Sequence, residues 1–326
     1  MEEPQMKKKL IAVLVAILVV ALIVVIASVA MKPAEKAYNV GVCQLVQHPA
    51  LDAATQGFVD TLNAKLGDKV KIDVQNASGD SATCVTIINS FTSAKSDLIM
   101  ANATAALQAA QAATEEIPIL GTSITDYASA LDIEGWTGVT GVNISGTSDL
   151  APLKEQAAML KELFPDAKEV GLLYCSAEAN SVYQVEVITK ELTALGYNCT
   201  NYAFADSNDV SSVTMNACAT SDVIYIPTDN TAASCTEAIR NVVEPEGVPV
   251  IAGEEGICSG CGVATLSISY YDLGCATGEM AYEILANGKD VSAMPIQFAP
   301  NVTKKYNAEL CKILNVTIPE GYQAIE

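Results

Sequence analysis

After residue 37, short runs rich in valine, isoleucine and tyrosine alternate with longer alanine-rich stretches whose apolar positions recur every three to four residues. Strands separated by helix-length segments pair in parallel, because a parallel neighbour can be reached only by a long crossover, usually a helix. The pattern predicts strands at 39–45, 70–75, 98–101, 118–120, 138–142, 170–174, 198–204, 223–226, 248–252 and 263–268. It predicts helices at 51–66, 81–93, 105–115, 150–164, 179–195, 210–219, 231–243 and 272–287. Pro49 suits a first helical turn, while Asp80, Ser148, Ser176 and Asp229 are good N-cap types. Gly67, Gly196 and Gly288 stand where three helices should close.

About ten strands would strain one open sheet, whereas two sheets of about five are ordinary. The expected fold class is therefore α/β in two lobes, each a parallel sheet flanked by helices. The stretch 143–149, rich in Gly, Ser and Asn, reads as a hinge between them.

Lys7, Lys8 and Lys9 precede an uncharged apolar run over 10–31, 22 residues long. A membrane span needs about 20 residues and a signal-peptide core only about 7–15, so the length predicts a retained anchor. Ser28-Val29-Ala30 nevertheless offers a small-residue cleavage site. The three lysines stay in the cytoplasm by the positive-inside rule, which places the rest of the chain outside, anchored or secreted.

The chain is acidic, with 18 Lys and Arg against 38 Asp and Glu. Nucleic acid and anionic lipid surfaces are poor partners for such a surface. Ten cysteines, all after residue 42, would lie in a compartment that permits disulfides. Cys258-Ser259-Gly260-Cys261 has the spacing of a redox motif or zinc half-site, but no second half-site accompanies it and the sole histidine, His48, is remote. One histidine and one arginine, Arg240, outside any recognisable catalytic motif, point to a binder with no cofactor or metal.

Ligands of doubly wound sheets bind beyond the carboxyl ends of the strands, where helix N-termini converge. Thr104, Thr122 and Ser123 are candidates to hold a ligand carboxylate there. Asp229 or Glu254 is a candidate partner for a ligand ammonium.

Three stretches at these junctions resemble the ABC transporter substrate-binding proteins often associated with tryptophan and tyrosine uptake. They are Gln44-Leu45-Val46-Gln47-His48-Pro49-Ala50-Leu51-Asp52-Ala53-Ala54, Glu178-Ala179-Asn180-Ser181-Val182 and Ile224-Tyr225-Ile226-Pro227-Thr228-Asp229-Asn230-Thr231. Tyr270-Tyr271-Asp272-Leu273-Gly274, followed by Thr277-Gly278-Glu279-Met280-Ala281, is similar to a later helix of that group. The resemblance covers roughly residues 39–320 and implies the type-I periplasmic binding protein fold. In that fold the chain crosses three times between lobes and the ligand lies at the hinge cleft. It implies lobes of 37–148 plus 268–290 and of 149–267 plus 291–326, after a segment 1–36. It also implies cleft roles for Gln47, His48, Thr104, Thr122, Ser148, Asp149, Asn180, Ser181, Asp229, Asn230 and Glu254. Gln47 replaces the Glu that relatives commonly carry before the His-Pro pair. The implied function is capture of a small molecule, an amino acid being the best fit with aromatic ones among the candidates, and its delivery to an ABC permease and its ATPase. A membrane-tethered sensor using the same clamp and an extracellular CxxC thiol protein are the alternatives.

Overall fold

The computed structural model describes residues 37–299 and 301–325, together with Ile17. The expected amino-terminal anchor thus lies outside the described residues, and among them no helix is long and apolar enough to cross a membrane.

The first half alternates as the periodicity predicts. It runs β1 (Tyr38–Gln44), α1 (Pro49–Leu66), β2 (Val70–Asn76), α2 (Ser81–Ser93), β3 (Leu98–Asn102), α3 (Thr104–Ala113), β4 (Ile119–Ile124), α4 (Tyr127–Ala130) and β5 (Ile144–Ser148). The second half begins with α5 (Leu153–Leu163), β6 (Glu169–Cys175), α6 (Ala179–Ala194), β7 (Asn198–Phe204), α7 (Val210–Cys218) and β8 (Val223–Ile226). It continues with α8 (Asn230–Ser234), α9 (Thr236–Glu246), β9 (Val250–Ala252), α10 (Glu255–Cys261) and β10 (Ala264–Ser267). Last come α11 (Tyr270–Asn287), β11 (Gln297–Phe298), β12 (Thr303–Tyr306), α12 (Ala308–Ile313) and β13 (Gln323–Ala324).

Strand pairing divides these into two sheets, ordered β11-β5-β4-β3-β1-β2 and β13-β12-β10-β9-β8-β6-β7. The first is parallel throughout; in the second, β12 runs antiparallel to β10. The chain passes between the sheets after β5, after β10 and after β11.

Alternation of side chains about each strand fills two layers per sheet. In the first sheet, Val42, Met100 and Leu120 face α1 and α11, packing with Phe58, Leu62 and Met280. Cys43, Ile99 and Ile119 face α2 and α3, with Ile88, Phe91 and Leu107. Leu173, Ile224 and Val250 of the second sheet meet α7, α9 and α10, whereas Leu172, Tyr225 and Ile251 meet α5, α6 and α12. Both faces are buried, which is why the strands read as continuous apolar runs.

Four details depart from expectation. The strand placed at 138–142 is instead a run of bends, because Gly138 (φ 91°) and Gly141 (φ 73°) adopt a left-handed backbone no strand can hold. The strand is Ile144–Ser148, inside the stretch read as a hinge. Ser148 and Ser176 cap nothing: α5 starts only after Pro152, which biases its predecessor away from helix, and α6 starts after Glu178. The helix expected over 231–243 is two, α8 and α9, meeting at Cys235. Finally, Gln297–Phe298 pairs with β5, so the last changeover between sheets falls after Phe298 rather than at residue 291.

Candidate functional site

The carboxyl ends of both sheets' strands meet across one cleft, which is bridged by a side-chain hydrogen bond between His48 and Asn230 and, where the chain first crosses, by Asp149 with Thr125 and Tyr270. His48, at the N-cap position of α1, is buried, and its Nε2 lies 3.2 Å from Asn230 Oδ1 at the start of α8. Asn230 is held from behind: its Nδ2 donates to Glu178 Oε2 at 2.7 Å. Glu178 also accepts from the Asn230 and Thr231 backbone N–H groups, the Thr231 hydroxyl and Asn180 Nδ2. Burial pushes the His48 imidazole below its ordinary pKa, against smaller upward pulls from Asn230, Glu178 and Asp52, so the ring is neutral at pH 7.

Two cavities flank this bridge. The smaller, about 250 Å³, is lined from the first sheet by Leu45, Ser78 and Thr104 and from the second by Cys175, Asn180 and Ser207. The larger, about 740 Å³, lies toward the chain crossings and is lined by Pro49, Ala50, Glu254, Ile268, Tyr270 and Lys305, among others. Two helix starts open at the smaller cavity. α3 has Ala103 at its N-cap, with φ 87° and no side-chain cap, and α6 has Glu178, whose carboxylate turns instead to α8. Uncapped N–H groups carry partial positive charge and suit an anion.

Three carboxylates are buried in this region: Asp149, Asp229 and Glu254. Asp229 Oδ1 caps α8 through Ala232 N–H at 2.8 Å, and its Oδ2 accepts Cys175 N–H at 2.6 Å. Glu254 caps α10 through Gly256 N–H at 2.6 Å and Ile257 N–H at 2.5 Å. Asp149, where the chain first crosses, accepts the Thr125 hydroxyl at 3.2 Å and the Tyr270 hydroxyl at 2.9 Å. Among the described residues no Lys or Arg is buried, so these carboxylates have no buried cation. Desolvation raises all three above the usual carboxylate range, Glu254 and Asp229 to about 7, the latter with help from Glu178.

The remaining sequence candidates divide. Thr104 and Asn180 line the smaller cavity, and Ser181 is buried behind Asp229, to which its hydroxyl is bonded. Ser123 sits at φ 55° in the irregular register of β4, buried, its hydroxyl without a protein partner. Thr122 turns toward α11, joined through Thr147 to Thr277. Ser148 is occupied by the backbone of Thr125 and Leu150. Gln47 is exposed on the turn before α1 and lines neither cavity. Glu178 and Tyr270 escaped selection by sequence, although both lie in the stretches that carry the family resemblance. The ten cysteines are unpaired thiols, and among the described residues no cluster of three or more His, Cys, Asp or Glu could hold a metal.

Comparison with known proteins agrees with this geometry. A "Tyrosine-binding protein" of Clostridioides difficile is 35% identical over 286 residues, covering 87% of this chain and 82% of that protein. A Streptococcus pneumoniae ABC domain solved in complex with L-Trp matches with a TM-score of 0.84 at 30% identity, over 89% of this chain and 100% of that one. The ligand-free, open structure of a Clostridium difficile substrate-binding protein with adhesive properties gives only 0.68, at 35% identity over 89% and 99%. The poorer fit to the open relative, despite its higher identity, accords with a cleft here bridged by His48 and Asn230. A glucose-galactose binding protein of Geobacillus stearothermophilus and a Caulobacter myo-inositol binding protein, at 14% and 17% identity, share the fold alone. The family described as ABC transporter substrate binding protein matches residues 39–324, and the chain belongs to it.

Proposed function

We propose that this protein captures an aromatic amino acid as its zwitterion between the two sheets, outside the cytoplasm, and presents it to an ABC permease and its ATPase. One observation carries the choice of ligand: three buried carboxylates, with no buried Lys or Arg among the described residues, stand beside a cleft that also receives two uncapped helix starts. An ammonium group entering that cleft offsets the cost of burying the carboxylates, and a ligand carboxylate suits the helix starts. Glu254 and Asp149 are assigned to the ammonium, while Thr104 and Asn180 mark a second, anion-suited position in the smaller cavity on the other side of the His48–Asn230 bridge. His48, Asn230, Asp229 and Ser181 position these groups, and Tyr270, Ile268 and Ala50 offer apolar surface to a ring. The names of the tyrosine-binding and L-Trp-bound relatives support the ligand class.

Closure follows from differential affinity: a ligand touching both lobes stabilises the closed form that a transporter recognises. The lobes are read as 37–148 with 268–298, and 149–267 with the remainder. The run 10–31 after three lysines is read as the anchor that holds the clamp at the outer face of the membrane. A binding role without catalysis is supported by the buried neutral His48 and by buried thiols whose pKa values are raised. Thermal shift across the amino acids tests the reading. Tryptophan, tyrosine or both should raise the midpoint by several degrees; a midpoint unmoved by any amino acid at millimolar concentration would refute it.

A further inference from the structure

We infer that ligand capture is a proton-for-ammonium exchange at Glu254 and Asp149, which rests on the ligand reading above and adds a step to it. Both side chains are buried in the closed cleft, Asp149 bonded to Tyr270 and Glu254 lining the same cavity as Tyr270. Each carboxylate raises the field on the Tyr270 hydroxyl, and Asp149 also acts on Glu254.

Among the described residues no cationic side chain compensates them; the positive end available to Glu254 is the start of α10, whose Gly256 and Ile257 N–H groups it accepts. On α10 itself stand Glu255, Cys258 and Cys261; the first is negative and the thiols are held neutral by burial. Lys305 of β12 lines the larger cavity, and its ammonium is committed to Glu255 at 2.7 Å. Arg240 of α9 pairs with Glu244 and Glu309. From the first sheet come neutral His48, Asp52 at the start of α1 and the Tyr127 hydroxyl of α4, which donates to Thr147 O. Glu178 and Asp229, the latter itself raised to about 7, are the further carboxyl groups at the neighbouring strand ends. Two buried carboxylates in so acidic a place take up a proton at one of them when the cleft is closed and empty. Arrival of a ligand ammonium makes the proton redundant. The carboxyl O–H breaks, its electron pair stays on the carboxylate oxygen, and the proton passes to a water or buffer base. One positive charge enters as one leaves.

Isothermal titration of tryptophan into the whole protein, repeated in phosphate and in Tris at pH 6.5, reads the exchange directly from the dependence of heat on buffer ionisation enthalpy. Close to one proton released per ligand is expected, with affinity tightening up to about tenfold per pH unit as pH rises toward 7. Glu254→Gln should still bind, more weakly, and release much less than half a proton; Asp149→Asn is the second variant if the first does not fold. Indole-propionate, which lacks the ammonium, should release none. Tryptophan binding with no proton release between pH 5.5 and 7.5, or with release unchanged in both variants, overturns the exchange while leaving the binding role standing. Failure of every amino acid to bind refutes the ligand assignment and the exchange with it.

Discussion

His48 of the first lobe and Asn230 of the second are hydrogen-bonded across the cleft, Nε2 to Oδ1 at 3.2 Å. Because Asn230 Nδ2 is engaged by the Glu178 carboxylate, Asn230 can offer His48 only its oxygen, so the neutral imidazole must carry its proton on Nε2. His48 Nδ1 is left buried and without a protein partner. The contact is thus a one-way latch, donor on one lobe and acceptor on the other, set by a carboxylate that never touches the first lobe directly in the hydrogen-bond network.

Removing the acceptor should loosen closure without disturbing either sheet. Asn230→Ala is expected to shift the ligand-free protein toward an open form, seen as a larger radius of gyration in small-angle scattering. Tryptophan affinity should weaken about fivefold, the equivalent of one hydrogen bond of about 1 kcal/mol. An unchanged scattering curve together with unchanged affinity would show that the latch contributes nothing.

Acidification should stabilise the ligand-free protein. Glu254 has a folded-state pKa of about 7 against an ordinary value of 4.5, so the folded form binds more protons than the unfolded one in that interval. Its contribution is fully present below about pH 4.5 and is lost as pH rises through about 7, on the order of 3 kcal/mol in all. Melting temperature measured from pH 5.5 to pH 8 should therefore fall, and Glu254→Gln should flatten the slope. Saturating ligand, by keeping Glu254 ionised against an ammonium, should flatten it as well.

The helix that brings Tyr270 to Asp149 depends on glycine. A Cβ on Gly274 of α11 would stand 2.0 Å from Ala54 O of α1, and one on Gly57 of α1 would stand 2.1 Å from Tyr271 O. The two helices cross at backbone contact, which no larger residue permits. Gly274→Ala should force them apart at a cost of about 1–3 kcal/mol, lowering the melting temperature by roughly 3–8 °C. As α11 moves, Tyr270 leaves Asp149, so calorimetry should also show weaker tryptophan binding in the folded variant.

Periodicity made most of the sheet skeleton readable: β7 and β8 fall where the valine and tyrosine runs place them, residue for residue. It failed where local chemistry is ambiguous. The stretch before β5 is β-branched enough to mimic a strand, and only the positive φ of Gly138 and Gly141 rules it out. α10 hides in a stretch with Gly256 and Gly260, residues unfavourable to helix, and exists because Glu254 caps it and Ile257, Cys258 and Cys261 bury their side chains. β11 and β13 are two residues each and carry no periodic signal. At the cleft, strand ends point to the loops that carry Asp229, Asn230, Asp149 and Glu254, which the structure brings to the facing ends of the two sheets. Side-chain direction is not legible in the sequence: Gln47 faces solvent one residue before buried His48, and Thr122 turns to α11 beside Ser123. Glu178 could not be singled out because its importance lies in partners 52 and 53 positions away.

The Cys258-Cys261 pair provides the remaining test, since its spacing alone suggested thiol chemistry. Both sulfurs sit on the inner face of α10 with no exposure, against Ile226, Ala252 and Val243. Reactivity requires the thiolate, and burial drives both thiols well above their ordinary pKa; for Cys258 the neighbouring Cys261 adds to the effect. Cys199, Cys235 and Cys275 are only partly buried. Alkylation of the folded protein at pH 8, read by peptide mass spectrometry, should therefore label these three first and leave Cys258 and Cys261 unmodified for hours. In urea, where α10 unfolds and the desolvation penalty disappears, all ten should react. Rapid labelling of Cys258 and Cys261 in protein that retains its melting temperature would mean that α10 opens in the native state. Their spacing would then serve reactivity rather than packing.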